Sequence, residues 1–286
     1  MSKEITAQQI TDRIQNQLGM TWKTSAVDVF NTGNPDTPVT GIVTSFTPTI
    51  EVLRRAVAAG KNLIITREPA FYQENRSSSG PGTGNKPVME FLKNDPTYLF
   101  KREIIEKNNL VIWRFYENWS AREVDGQLQG LARSLGWNKY HIHDSKAGGE
   151  PYQKDNKYFA LPGTTLSDMV NKIQDQLNIR GIRVIGDPNT KVRKASLSHG
   201  LFRVPELQGI LKEPDVDLIV IGEPVEWEAS PYFQDILAWG KKKGMIILGH
   251  EVSEEPGSGE VASWLKTFIP EVPIEWIPAG EPFWVP

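Results

Sequence analysis

The sequence predicts an α/β fold made by internal duplication, with two related lobes of helix-flanked mixed sheet, and three observations predict it. The chain has 286 residues, about twice the roughly 150 that serve as a prior for one domain. Two segments recur at long range: Gly33-Asn-Pro-Asp-Thr-Pro-Val39 against Gly186-Asp-Pro-Asn-Thr-Lys-Val192, and Asn62-Leu-Ile-Ile-Thr-Arg-Glu-Pro69 against Asp217-Leu-Ile-Val-Ile-Gly-Glu-Pro224. The apolar runs at residues 63–66, 110–115, 218–221 and 245–248 show no alternation. Continuous runs of this kind suit strands covered by helices on both faces.

Each element follows in order. Ile10, Ile14 and Leu18 fall at helical spacing over residues 6–18, with a polar opposite face, which predicts a core-covering helix. A Gly-Asx-Pro turn, a short apolar run, a helix over residues 50–59 and a β-branched run ending in Glu68-Pro69 then read β-α-β. The second half repeats that order, with a helix over residues 205–211 and a run ending in Glu223-Pro224. Residues 144–151, Asp-Ser-Lys-Ala-Gly-Gly-Glu-Pro, have linker composition and place the lobes at 1–146 and 147–286. The segment from about residue 250 is expected to be able to pack back on the first lobe.

The loop at residues 74–87 contains Ser-Ser-Ser-Gly-Pro-Gly-Thr-Gly but no Gly-Lys-Ser/Thr ending, so a surface loop is the plainer reading than a phosphate cradle. The tail at residues 274–286 concentrates aromatics among prolines and cannot be a central strand. It suits a cover over a cleft, a subunit interface, or docking onto its own lobe.

Composition excludes several classes. No window approaches roughly eighteen consecutive apolar residues, and residues 1–20 are polar and amphipathic, so neither a membrane partner nor an export signal is expected. The expected location is cytoplasmic, with an exported form whose signal was cleaved left open. A net charge of −3 and a pI near 5.9 argue against nucleic acid as a partner. With no cysteine, thiolate zinc sites, iron–sulfur clusters and cysteine nucleophiles are all ruled out.

The chemistry collects where strand-like runs end: Arg67 and Glu68; Tyr116, Glu117 and Asn118; Glu223; and His250. In open α/β sheets the crevice beyond the carboxyl ends of the strands binds ligands, although polar strand-to-loop transitions occur in any protein. The densest cluster is Gly249-His-Glu-Val-Ser-Glu-Glu-Pro-Gly257. If a helical turn begins there, His250 and Glu254 share one face and can reach one cation. The alternative is that Ser253 or Glu251 caps a helix over residues 259–268 and His250 is a surface hydrogen-bonder. A zincin His-Glu-x-x-His reading fails, because the second histidine is Glu254 and the motif follows a strand. A lone His199 is more often structural, and His141 and His143 fit a solvated edge.

These residues together resemble the Nif-three-like family (NGG-interacting factor three), whose members carry the name GTP cyclohydrolase 1 type 2 homologue. The resemblance spans most of the chain and rests on residues 40–46 and 50–60, Leu63-Ile-Ile-Thr-Arg-Glu-Pro69, Arg183-Val-Ile-Gly-Asp-Pro188, Asp217-Leu-Ile-Val-Ile-Gly-Glu223 and Gly249-His-x-x-Ser-Glu254. It implies two α/β lobes, a pair of metal ions in an inter-lobe cleft, and a homo-oligomer. His250 and Glu254 stand at the family's histidine and glutamate positions, the glutamate being the bridge between two metals. Arg67-Glu68-Pro69 stands where the family has His-His-Pro, Ser120 where it has the aspartate of His-Thr-Asn-Leu-Asp, and Glu226-Trp227 where it has a second-lobe His-His pair.

Read through the resemblance, Arg67 and Ser120 remove two ligands from one ion, whereas Glu68 replaces a ligand of the other by a metal-capable group. The expectation is one divalent ion, zinc, manganese or iron, on Glu68, His250 and Glu254, in a hydrolase-like protein. Arg67 would bind anionic groups of a small-molecule substrate or stand in for the second ion, a water acidified by the ion would attack, and Glu223 or Glu117 would serve as general base. The rival expectation is a non-catalytic scaffold or regulatory binding protein whose metal site has decayed to an ion-pair network.

Overall fold

The first helix shows how directly the sequence sets its elements. Thr6 caps α1 (Ala7–Gln17) by accepting from the Gln9 N–H at 3.3 Å, and the Gln9 side chain returns the bond to the Thr6 N–H at 3.0 Å. This reciprocal cap fixes the start of the helix, and Ile10 and Ile14 are buried as their spacing requires. The computed structural model describes residues 4–24, 27–72, 92–122, 124–142, 157–211, 213 and 215–285. The linker at 144–151, the loop at 74–87 and His143 lie outside them.

The chain forms two compact units, residues 1–122 with 258–279, and 123–257 with 280–286. In the first, β1 (Phe30–Thr32), β2 (Ile42–Ser45), β3 (Leu63–Thr66), β4 (Val111–Arg114) and β12 (Ile274–Trp276) form a sheet in the order β1-β4-β3-β2-β12. β1 is antiparallel to β4, and the remaining pairings are parallel. Every residue of β2, β3 and β4 is buried. The two-residue period splits them between two cores: Ile42, Leu63, Ile65 and Trp113 join Ile10 and Ile14 of α1, while Val43, Ile64 and Ile112 join α2 (Ile50–Ala58) and α3 (Pro96–Lys107). A short α4 (Glu117–Ser120) follows β4.

In the second unit, β5 (Tyr158–Thr165), β6 (Arg183–Ile185), β7 (Lys191–Leu197), β9 (Leu218–Ile221) and β11 (Gly244–Ile247) form a sheet in the order β5-β7-β9-β11-β6. The three central strands are parallel, and both edges are antiparallel. β8 (Leu201–Phe202) and β10 (Glu223–Pro224) make a small parallel ribbon. The helices are α5 (Gly126–Ser134), α6 (Leu166–Leu177), α7 (Val204–Leu211), α8 (Glu226–Ala238) and α9 (His250–Leu265).

The sheets correspond strand for strand over four positions. β1, β2, β3 and β4 match β6, β7, β9 and β11: in each unit the first strand is antiparallel to the last of three parallel neighbours. The repeated Gly-Asx-Pro turn leaves the matching strands β1 and β6, and both glycines take positive φ, +88° at Gly33 and +137° at Gly186. A Cβ at Gly33 would strike the backbone of Leu110 and Val111, and one at Gly186 that of Lys243 and Gly244, at the start of β4 and β11 respectively. Glycine is therefore required at both turns by conformation and by close approach. Strand order and turn chemistry thus repeat from one unit to the other.

The units divide near residue 122, ahead of the boundary at 146 that linker composition indicated. Leu128, Leu131, Ala132 and Leu135 of α5 pack with Phe159, Leu218 and Val220 of the second sheet, which assigns that helix by its apolar face. Residues 258–279 belong to the first unit, where β12 takes an edge position, as a Pro-flanked strand must.

Candidate metal centre

Within the second unit, β11 delivers the chain to Gly249, whose φ of +97° turns it into α9 at His250. The helix thus begins at His250, nine residues ahead of the 259–268 alternative, and Pro256 lies inside it. One helical turn brings His250 Nε2 to 3.8 Å from Glu254 Oε1. Glu254 is only 1% exposed. His199, after β7, bridges two carboxylates: Nδ1 lies 2.9 Å from Glu254 Oε1, and Nε2 lies 2.9 Å from Asp125 Oδ2. The other oxygen of Asp125 caps α5, accepting from the Gln127 and Leu128 N–H groups at 2.9 and 3.3 Å.

Carboxylates only accept, so an imidazole held between two of them donates from both nitrogens and is cationic. Burial alone would lower the His199 pKa, but the Asp125 charge and hydrogen bonds to Asp125 and Glu254 push it up to about 10. Asp125 is correspondingly held below the usual carboxylate range: burial, the largest single influence, opposes this, and the His199 charge together with the hydrogen bonds from His199, Gln127 and Leu128 outweighs it.

His250 is oriented from its other side, with Nδ1 3.2 Å from Glu223 Oε2. When Nδ1–H is donated to Glu223, Nε2 presents a lone pair on the Glu254 side, the arrangement metal-ligating histidines use. The backbone closes in around this pair. Gly200 has φ +61°, and a Cβ there would collide with Glu254 Oε1 and come within 3.6 Å of His250 Nε2. The Gly200 N–H donates to Ser253 Oγ at 3.0 Å, and that hydroxyl donates to the His250 carbonyl at 2.7 Å.

In the first unit, β3 ends in a turn fixed by the Glu68 N–H to Phe46 O at 2.8 Å and Thr66 Oγ1 to Glu68 O at 2.7 Å. The Arg67 guanidinium pairs with Glu68 Oε1 and lies 3.6 Å from the centre of the Tyr116 ring. Arg114 donates from Nε to the Arg67 carbonyl at 2.7 Å and stands 3.9 Å from Glu68 Oε2. Buried Asp28 secures the segment after β4, accepting from the Tyr116, Glu117 and Asn118 N–H groups and from the Asn118 amide at 2.7–2.9 Å. Glu117 itself is exposed. Ser120 Oγ is buried with no hydrogen-bond partner among the described residues.

Of the residues singled out from sequence, His250, Glu254 and Glu223 come together inside the second unit, and Arg67 and Glu68 inside the first. Glu226 pairs with Arg183 at 2.8 Å, and Trp227 is 79% exposed. Within the second unit His250 and Glu254 offer an imidazole and a carboxylate, donors that suit zinc, manganese or iron(II). Sequence reasoning missed Asp125, which reads only as a helix cap before Gly-Gln-Leu, and it gave His199 a structural role without its two partners.

No family model matches the chain. Two curated proteins named GTP cyclohydrolase 1 type 2 homolog are similar to it. The one from Clostridium perfringens is 24% identical over 237 residues, covering 82% of this chain and 80% of its own. The one from Chlamydia pneumoniae is 23% identical over 258 residues, covering 88% of each. Among solved structures, a Bacillus cereus protein related to NIF3 matches with TM-score 0.72 and 15% identity over 99% of this chain and 100% of that one. A Staphylococcus aureus hypothetical protein matches with TM-score 0.71 and 17% identity over the same shares. The fold is that of these structures, and the relatives support a Nif-three-like family assignment.

Among the described residues no helix is long and apolar enough to cross a membrane.

Proposed function

We propose that the protein is a single-metal, hydrolase-like member of this family, in which Glu68, His250 and Glu254 hold one divalent cation, zinc, manganese or iron. The observation that carries the reading is the buried Glu254 carboxylate one helical turn from His250, with the Gly200 backbone close beside both. A larger residue at position 200 would fill the space next to both donors. When bound, the cation would supply Lewis-acid polarisation and acidify water. The chain's own groups do the rest: Glu223 orients His250, Glu223 or Glu117 serves as general base, and Arg67 binds anionic groups of a small-molecule substrate.

The pairing of Glu68 with Arg67, backed by Arg114, favours the second reading, a non-catalytic binding protein in which ion pairs replace the metal. Metal analysis after incubation with zinc or manganese separates the two. About one ion per chain that is lost in Glu254→Ala supports the enzyme. No ion, or an ion content unchanged by that substitution, sinks the ligand set.

A further inference from the structure

Resting on the reading of Glu254 as a cation ligand, we propose that Asp125 and His199 form a positioning pair that presets the Glu254 carboxylate for a divalent cation. Three elements distant in sequence meet in this chain of contacts: the cap of α5, the second residue beyond β7, and the second turn of α9. Asp125 Oδ1 is tied to the Gln127 and Leu128 N–H groups, so the first turn of α5 fixes where Oδ2 sits. Oδ2 fixes His199 Nε2 at 2.9 Å, and the rigid ring carries that constraint to Nδ1, 2.9 Å from Glu254 Oε1. A glutamate side chain has three rotors, and here their outcome is dictated from a helix end through a planar ring.

Gly200 closes the same oxygen from the backbone side. The ordering entropy of the ligand is therefore met during folding, ahead of binding, which is how supported ligands gain affinity. A helix cap alone would need only one Asp125 oxygen. The second oxygen, spent on a histidine aimed at Glu254, is what marks the pair as serving the site. Its structural counterpart would be a buried ionic tie between α5 and α9, whose loss costs stability and leaves ligand geometry untouched.

The test is manganese and zinc titration calorimetry on the full chain, with urea unfolding of each protein alongside. His199→Leu removes both donors. His199→Asn keeps an N–H near the Nδ1 position. Asp125→Asn keeps the helix cap and loses the charge behind the ring. Leu is expected to weaken cation binding roughly 10–100-fold, the range for lost outer partners of metal ligands. Asn at 199 should stay nearer wild type than Leu at equal unfolding midpoints, and Asp125→Asn should shift affinity in the same direction as Leu. Wild-type affinity in a folded His199→Leu protein, with Glu254→Gln still abolishing binding, overturns the positioning role alone. Equal losses in Leu and Asn that track their unfolding midpoints overturn it too. A wild-type chain that takes up neither ion removes the metal reading and this proposal with it. Should the Leu variant not fold, Asn at 199 and Asn at 125 carry the comparison.

Discussion

Glu68 and Glu223 occupy the same place in the two units, and they are treated in opposite ways. Each follows the middle parallel strand of its sheet and precedes a proline, in segments that repeat each other. Before Glu68 stands Arg67, stacked on Tyr116 and paired with the carboxylate, with Arg114 behind it. Before Glu223 stands Gly222, and the Glu223 carboxylate, half exposed, meets the His250 ring. Gly222 is needed there because a Cβ would run into the Gly200 backbone and Ser253 Oγ. The fold decides where the glutamate sits, while the residue ahead of it decides whether a guanidinium is its neighbour.

The buried aspartates show the same division. Asp28 gives both oxygens to N–H groups of residues 116–118, a purely structural use. Asp125 gives one oxygen to a helix cap and the other to His199.

The sharpest way to break this contrast is Asp28→Ala, which leaves four donors without their acceptor. It should cost about 3 kcal/mol or more of unfolding free energy in urea, and a loss under about 1 kcal/mol would show the donors finding other partners. Gly222→Ala comes next, at about 1–3 kcal/mol from overpacking. An unchanged midpoint would mean that the Gly200 and Ser253 segment yields easily.

A pH-dependent effect belongs to the second unit. The His199 pKa is raised from 6.5 to about 10, so its contribution is complete below the unfolded value and is lost as pH rises through about 10. The depressed Asp125 pKa acts in the other direction: its contribution is present above the ordinary carboxylate value and is lost as pH falls. The stability gap between wild type and His199→Leu should therefore narrow between pH 7 and values above about 10, as read from urea midpoints. A constant gap would contradict the imidazolium. Least affected should be Arg183→Ala, whose pair with Glu226 is 58% and 65% exposed, with a change under about 1 kcal/mol. A larger loss there would mean that the exposed turn holds the β6 edge.

Much of this was legible in the sequence. The four apolar runs are four of the parallel strands, to within a residue at each end, because strands buried on both faces can carry no alternation. His250 and Glu254 share a helical face because spacing alone settles it once the helix begins at residue 250. The Asp125–His199–Glu254 chain was not legible, since its contacts span 74 and 55 residues and an N-cap aspartate looks the same whatever its second oxygen touches. Nor was the division near residue 122: linker composition marks where a chain is tolerant, whereas the apolar face of α5 marks which sheet it joins.

The edge strand β12 has a consequence for how the molecule is made. Ile274 pairs with Ile42, so the first sheet waits for its fifth strand until nearly all of the intervening polypeptide has left the ribosome. At about 5–20 residues per second this is a delay of roughly 10–50 s, during which β2 stands as an unpaired edge. A nascent chain stalled before residue 274 should therefore display that edge to chaperones or to other nascent chains, and emergence of residues 274–276 should bury it.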